Sequence, residues 1–534
     1  MAKITIDGKE VQCRDGIPVL RAALEAGTDV PHYCYHPGLT IVASCRLCLM
    51  EMKMPHPQTK EMVWAPKLFP SCQTPVKDGM EVRFNSPGVQ GNQKHVMEYY
   101  LLNHPLDCPV CDKAGECYLQ DYSEDYGASA SRMIEEKYKN PKKDIGSKTL
   151  LYQDRCVLCT RCVRFADEVA GTSELAVVNR GSRGEIDVFP GLPLENELQG
   201  NVVDLCPVGA LLSKDFLFKQ RVWFLKPAQS VCSGCSRGCT VEVDQSENTV
   251  HRLRPRFNEK VNQWWMCDEG RFGWKYIHRE DRLNLPRIRR SAAEPEPIAW
   301  EELPGVLRMR FDDAARADDG TAVAAVLSPM MSCEEAWLLA TFVRSLAPKS
   351  TLVSGFVPVV GGDKTFKKGF VIKSDKAPNQ KGVERVIAHF GGATMSFADF
   401  VAKAAAGAFK ATYLSAGYAT AWVNPAWTAS LQKIPFLVVH DLFSSPLDAA
   451  ATVQIPGASW VEREGSFMNC DGLLQPFSRA ITPLDGVKAD SQFLYELAGE
   501  SGLFRAPKFR EKIAAECADL GRVFEPSVEP EFAH

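Results

Sequence analysis

Cys156-Val157-Leu158-Cys159-Thr160-Arg161-Cys162 sets three thiols at intervals of three residues, and a fourth follows far along the chain at Cys206-Pro207. A short loop with this spacing can turn several side chains toward one point, and a remote Cys closes the set. Structural zinc sites favour pairs of cysteines over triplets. The run therefore reads as a [4Fe–4S] site of the bacterial ferredoxin kind. In two-cluster ferredoxins the remote Cys serves the other cluster; with no second triplet in this region, Cys206 most simply closes the same one.

Three further groups lie on either side. Upstream, Cys108, Cys111 and Cys117 are only three local thiols, and His104, followed by Pro105, is placed to supply the fourth ligand. A His ligand is neutral where a thiolate is anionic, and net charge helps set a cluster's potential. His104→Cys is expected to keep a cluster and change its potential; a redox titration indistinguishable from the parent's would remove His104 from the ligand set. Downstream, Cys232, Cys235, Cys239 and Cys267 again fit a [4Fe–4S] site, with a zinc knuckle as the alternative. Nearest the N-terminus, Cys34, Cys45, Cys48 and Cys72 resemble the plant-type [2Fe–2S] pattern, although ten residues separate Cys34 from Cys45 where that pattern has four. The four sets use fifteen of the nineteen cysteines and one histidine. Cys13, Cys333, Cys470 and Cys517 remain and are expected to be small buried hydrophobes. Cys333, beside Ala336, Trp337 and Leu339 on an apolar helix face, reads as core.

Local signals place these groups in successive domains. Residues 1–84 read as a β-grasp [2Fe–2S] ferredoxin-like domain. Lys3–Ile6 alternates as a strand, Asp7-Gly8 is a hairpin signal, and Glu10–Cys13 returns. Pro18–Ala26 has helical spacing ending at Gly27, and Glu81–Phe84 is a last short strand, while Met50–Pro66 reads as a loop. Residues 85–145 form the [4Fe–4S] domain of one histidine and three cysteines, with a helix over 93–102 and a polar linker over 131–148. Residues 146–220 form the ferredoxin-like [4Fe–4S] domain and residues 221–285 the four-cysteine [4Fe–4S] domain. In 286–534, after a charged linker at 287–297, strand-like runs (Thr321–Leu327, Pro435–His440) alternate with helical ones (Glu334–Leu346, Ser396–Ala406), which predicts an α/β layer. The fold class is thus α+β and α/β, multidomain.

Composition narrows function by exclusion. The 534 residues are 45% apolar and 24% charged with net charge −4, an ordinary globular balance that does not point to nucleic acid. No apolar run reaches the roughly 18 residues of a membrane span, and no leader of secretory or transit type is seen, so a cytoplasmic location is expected. Neither a G-x-G-x-x-G after a strand nor a phosphate-binding loop is found. A chain with four clusters and no hydride acceptor receives electrons from one partner and passes them to another. No residue is assigned a catalytic role.

The ordered set C-x10-C-x2-C…C, H-x3-C-x2-C-x5-C, C-x2-C-x2-C…C-P and C-x2-C-x3-C…C resembles the largest iron–sulfur subunit (the 75 kDa or G type) of respiratory complex I, the proton-pumping NADH:quinone oxidoreductase. Glu464-Gly465-Ser466-Phe467 and Asn469-Cys470-Asp471-Gly472 look like that family's C-terminal Glu-Gly-Thr-Phe…Asn…Glu-Gly stretch. The resemblance implies a molybdopterin-oxidoreductase-like body without an active site, short enough that bound molybdenum is not expected. It implies a relay through the His104 and Cys156 groups, the [2Fe–2S] group joining near the flavin end and the Cys232 group off the main path. The implied partners are a flavin/NADH-binding subunit, a small [2Fe–2S] subunit and quinone-side subunits, at the cytoplasmic face of a bacterial inner membrane. The alternative is a relay in a soluble NAD-linked hydrogenase or a formate dehydrogenase.

Overall fold

The computed structural model describes residues 1–290 and 294–527. The chain divides into two compact units, one of Met1–Leu225 with Phe366–Phe370 and one of Lys226–Thr365 with Val371–Ser527.

The first unit begins with the hairpin that the sequence predicts. Ala2–Ile6 and Lys9–Cys13 pair antiparallel, and Asp7 (φ 48°) and Gly8 (φ 82°) both take the left-handed conformation a type I′ turn requires. Glu81–Arg83 adds parallel to Ala2–Ile6 and antiparallel to Leu49–Pro55. The helix Val19–Glu25 buries Val19, Leu20, Ala22 and Ala23 in one core with Ile4, Ile6, Met50 and Val82. That is a β-grasp sheet with its crossing helix. The segment expected as a loop is instead a hairpin: Leu49–Pro55 pairs with Met62–Trp64. Methionine and lysine have little strand preference of their own, and pairing with Glu81–Arg83 decides the conformation.

Farther along, Ser86 caps the helix Pro87–Leu101 by accepting the Val89 N–H, with Pro87 at its first turn, so the helix starts well before the expected position 93. The expected linker also needs correction at its end. Lys142–Asp144 pairs with Thr149–Tyr152, which pairs in turn with Leu211–Ser213. This small sheet brings the two ends of the ferredoxin-like region together, with the short helices Arg161–Phe165 and Asn201–Leu205 between them.

The second unit opens with a three-stranded antiparallel sheet, Lys226–Val231, Thr240–Ser246 and Thr249–Pro255. Its body is an eight-stranded sheet in the order Glu296–Pro297, Arg287–Ile288, Val453–Pro456, Phe436–Asp441, Ala411–Ser415, Val323–Leu327, Thr351–Ser354, Thr394–Met395. The last six are mutually parallel. Every residue of Val323–Leu327 is buried, with Val323, Ala325 and Leu327 in one core and Ala324 and Val326 in another. A parallel strand covered by helices on both faces has no solvent side, hence the unbroken apolar run. The charged segment expected as a linker at 287–297 supplies the two marginal strands; its residues 291–293 lie outside the described residues. No helix among the described residues is long and apolar enough to cross a membrane.

Candidate iron–sulfur centres

In the first group the loop after Val30 carries Cys34, and a tight turn with Ala43 (φ 49°) and Arg46 (φ 59°) in left-handed conformations presents Cys45 and Cys48. Cys34 hydrogen-bonds through its thiol to Cys45 and Cys72, and Cys48 to the same two, so all four converge. The shared hydrogen bonds hold Cys34 and Cys48 below the ordinary thiol value and push Cys45 and Cys72 above it. All four are buried.

In the third group Leu158 (φ 50°) and Thr160 (φ 60°) turn the loop left-handed between successive cysteines, and the Leu158 N–H donates to Cys156 Sγ at 3.3 Å. Cys156, Cys159, Cys162 and Cys206 line one small hollow with Val157, Ile186 and Val208. In the fourth group Cys232, Cys235, Cys239 and Cys267 line a second small hollow. There the Gly234 N–H donates to Cys232 Sγ and the Gly270 N–H to Cys267 Sγ, each at 3.4 Å. A Cβ at Gly270 would come within 2.8 Å of Cys232 Sγ, so glycine is what lets the chain pass this close to the thiols.

Thiol-lined hollows, N–H groups aimed at sulfur and loops curled around them fit cuboidal clusters held by thiolates. Burial pushes the Cys159 thiol up to about 11 and the Cys232 thiol up to about 12. Several thiolates in such surroundings need a cationic centre to hold their charge. Among the described residues no group of three His, Cys, Asp or Glu side chains forms a single-ion site; a cluster spreads its ligands over several irons.

The second group is the most open. Cys108 is exposed, whereas Cys111 and Cys117 are buried. Burial and the nearby Arg155 and Lys137 push the His104 imidazole down to about 4, which keeps it neutral. Cys108–Val110 forms one short turn, and Arg221 donates to the carbonyls of Cys108 and Cys111 at 3.0 Å each. Exposed Leu106, Val110, Phe218, Trp223 and Phe224 lie in the same stretches of chain.

Within this unit the structure also brings groups together. The Tyr118 N–H, next to Cys117, donates to the Pro207 carbonyl, next to Cys206, at 3.0 Å. A Cβ at Gly209 would fall 2.2 Å from Cys111 Sγ. Arg155, stacked 3.9 Å from the Tyr152 ring centroid, joins Asp107 at 2.7 Å and the Gly209 carbonyl at 3.4 Å. The second and third groups are therefore neighbours. Tyr33 stands between the first and second, its ring 5.0 Å from Tyr100 and 5.6 Å from Tyr122, with the Tyr100 hydroxyl donating to the Cys45 carbonyl at 3.3 Å. Arg155, Arg221 and Gly209 carry no local sequence signal of their role; it arises only when separate loops meet.

Of the cysteines outside the four sets, Cys13 and Cys333 are buried as expected, but Cys470 and Cys517 are only partly so. Cys333 opens the helix Cys333–Leu346 and lies 3.3 Å from Asn379 Oδ1, a core position.

Five family models match in chain order. They are a 2Fe-2S iron-sulfur cluster binding domain over 1–87, the NADH-ubiquinone oxidoreductase-G iron-sulfur binding region over 93–132, and the ferredoxin-like domain of NADH-quinone oxidoreductase subunit 3 over 146–212. The molybdopterin oxidoreductase Fe4S4 domain follows over 225–279 and the molybdopterin oxidoreductase family over 378–500. The G subunit of the NADH-quinone oxidoreductase of Rickettsia felis is 36% identical over 356 residues, covering 67% of this chain and 51% of that protein. The NADH-ubiquinone oxidoreductase 75 kDa subunit of Reclinomonas americana is 34% identical over 360 residues, 67% of this chain and 50% of that protein. The chain thus spans about half the length of the curated relatives it matches. A chain of an NAD+-reducing [NiFe]-hydrogenase is 27% identical over 41% of this chain and 91% of its own, with a TM-score of 0.36, too low to bear on the fold. Over the matched residues the chain is similar to the 75 kDa-type iron–sulfur subunits of the NADH:quinone oxidoreductases, with a 2Fe–2S ferredoxin domain and several 4Fe–4S domains followed by a molybdopterin-oxidoreductase-like body.

Proposed function

We propose that the chain is an electron-relay subunit of a proton-pumping NADH:quinone oxidoreductase. It would carry one [2Fe–2S] cluster on Cys34, Cys45, Cys48 and Cys72. Three [4Fe–4S] clusters would sit on His104 with Cys108, Cys111 and Cys117, on Cys156, Cys159, Cys162 and Cys206, and on Cys232, Cys235, Cys239 and Cys267. The observation that carries the reading is the contiguity of three ligand groups in the first unit, where Gly209 packs on Cys111 and Tyr33 stands between Cys-bearing loops. Each cluster supplies one-electron acceptance and donation without proton transfer. The protein's own residues do the rest. Arg155 and Arg221 fix the carbonyls that shape the ligand loops, the N–H groups of Leu158, Gly234 and Gly270 favour charge on sulfur, and apolar neighbours keep water away.

Electrons would arrive from a flavin/NADH-binding subunit working with a small [2Fe–2S] subunit. They would leave toward quinone-side subunits, with exposed Cys108 marking the second group as a point of exchange. The chain would sit peripherally on the cytoplasmic side of a bacterial inner membrane, held by those partners.

Iron and acid-labile sulfide analysis of the purified chain is expected to give about fourteen irons, two from a [2Fe–2S] and four from each [4Fe–4S] cluster; zinc in their place would sink the relay. Gentle affinity purification from native membranes is expected to recover NADH–flavin and membrane-embedded quinone-side subunits. Recovery with soluble hydrogenase subunits alone would move the same wire to another machine.

A further inference from the structure

Arg164 is 8% exposed, on the short helix Arg161–Phe165 that follows Cys162. Its Nη2 donates to the Cys34 carbonyl at 2.6 Å and to the Cys159 carbonyl at 3.2 Å, its Nη1 to the Thr40 carbonyl at 2.5 Å, and its Nε to Thr160 Oγ1 at 3.3 Å. One guanidinium thus spans a ligand residue of the first group and a ligand residue of the third. Glu168, whose charge also reaches Arg164, is occupied elsewhere: it accepts the Thr40 N–H at 3.0 Å and pairs with Lys368 at 2.8 Å. Among the described residues Arg164 makes no ion pair with a carboxylate, and all its hydrogen-bond acceptors are uncharged.

A buried guanidinium without a counter-ion is costly. Arg155 shows the ordinary solution nearby, a 2.7 Å pair with Asp107. Besides Glu168, the negative charges that reach Arg164 are those that Cys159 and Cys34 carry when ionised as ligands. Reduction adds one negative charge to such a group, and a fixed positive charge held by carbonyls of both loops favours the reduced form of each. Arg is suited to this position because its planar fork reaches several acceptors at once and keeps its proton.

We propose, resting on the relay reading above, that Arg164 is a positioning residue that couples the [2Fe–2S] group and the Cys156 group electrostatically, holding both at higher potential than their loops alone would. The electron acceptor on either side gains one electron, and no bond or proton changes at Arg164.

The test is a redox titration followed by electron paramagnetic resonance on the full chain with its clusters, comparing Arg164→Gln and Arg164→Lys with the parent. The glutamine variant keeps a donor and loses the charge; both clusters are expected to become harder to reduce, each by about a tenfold change in its one-electron equilibrium, or about 59 mV. The lysine variant keeps the charge and is expected to recover most of the shift. Unchanged potentials in Arg164→Gln would overturn the proposal, as would a shift in one cluster only. Loss of either signal from both variants would make Arg164 a structural clamp and overturn it too. If the parent itself shows no iron–sulfur signals, it is the relay reading that fails.

Discussion

Gly209→Ala is expected to abolish the second cluster while leaving the other three in place. The new methyl would lie 2.2 Å from Cys111 Sγ, 3.3 Å from Lys113 Cβ and 3.7 Å from Arg155 Cδ. A flexible side chain could yield, but Cys111 must hold its position if it ligates, and Arg155 is fixed by Asp107. The iron content should fall by about four per chain, and electron transfer through the unit should drop by orders of magnitude. Gly91→Ala is the control. Nothing lies within 4 Å of its Cβ in the helix Pro87–Leu101, so alanine there should stabilise the helix by roughly 0.5–1 kcal/mol with iron unchanged. A full iron complement and an unaltered second-cluster spectrum in Gly209→Ala would show that Cys111 is not where the chemistry needs it.

Arg282→Met is expected to destabilise the second unit strongly. Arg282 and Glu462 form a two-pronged pair at 2.9 and 2.7 Å, with side chains 0% and 1% exposed. The arginine also donates to the Ile277 and Gly457 carbonyls at 2.8 and 3.1 Å. Removing it strands a buried carboxylate, a loss of about 3–5 kcal/mol. Replacing both, Arg282→Met with Glu462→Leu, removes the stranded charge and should restore much of the stability. Denaturant unfolding of the full chain reads both. A double variant as unstable as the single one would mean that the carbonyl contacts of Arg282, and not its ion pair, hold the unit together.

Legibility in the sequence follows the range of the interactions. The first hairpin is readable because two left-handed residues at a tight turn demand Asp-Gly or similar. The buried run Val323–Leu327 is readable because strands covered on both faces need apolar residues throughout. The hairpin of Leu49–Pro55 with Met62–Trp64 is not, since Leu49–Pro55 has no β-branched or aromatic residue and its partner Glu81–Arg83 lies far along the chain. The candidate ligands rest on spacing alone. Which groups are neighbours is beyond spacing: Gly209 beside Cys111, or Arg164 between Cys34 and Cys159, joins segments separated by many residues. An arginine shortly after a cysteine triplet looks like any surface arginine until the loop that it reaches is known.

The eight-stranded sheet ends on one side at Thr394–Met395 and on the other at Glu296–Pro297, each only two residues long. A strand edge is a template for any extended chain that can lend it hydrogen bonds, and short edges bearing proline or charge are poor templates. Here an incoming chain would find only two residues to grip on either side, one of them lacking an N–H. The largest sheet among the described residues is thereby shielded, once complete, against edge-to-edge self-association.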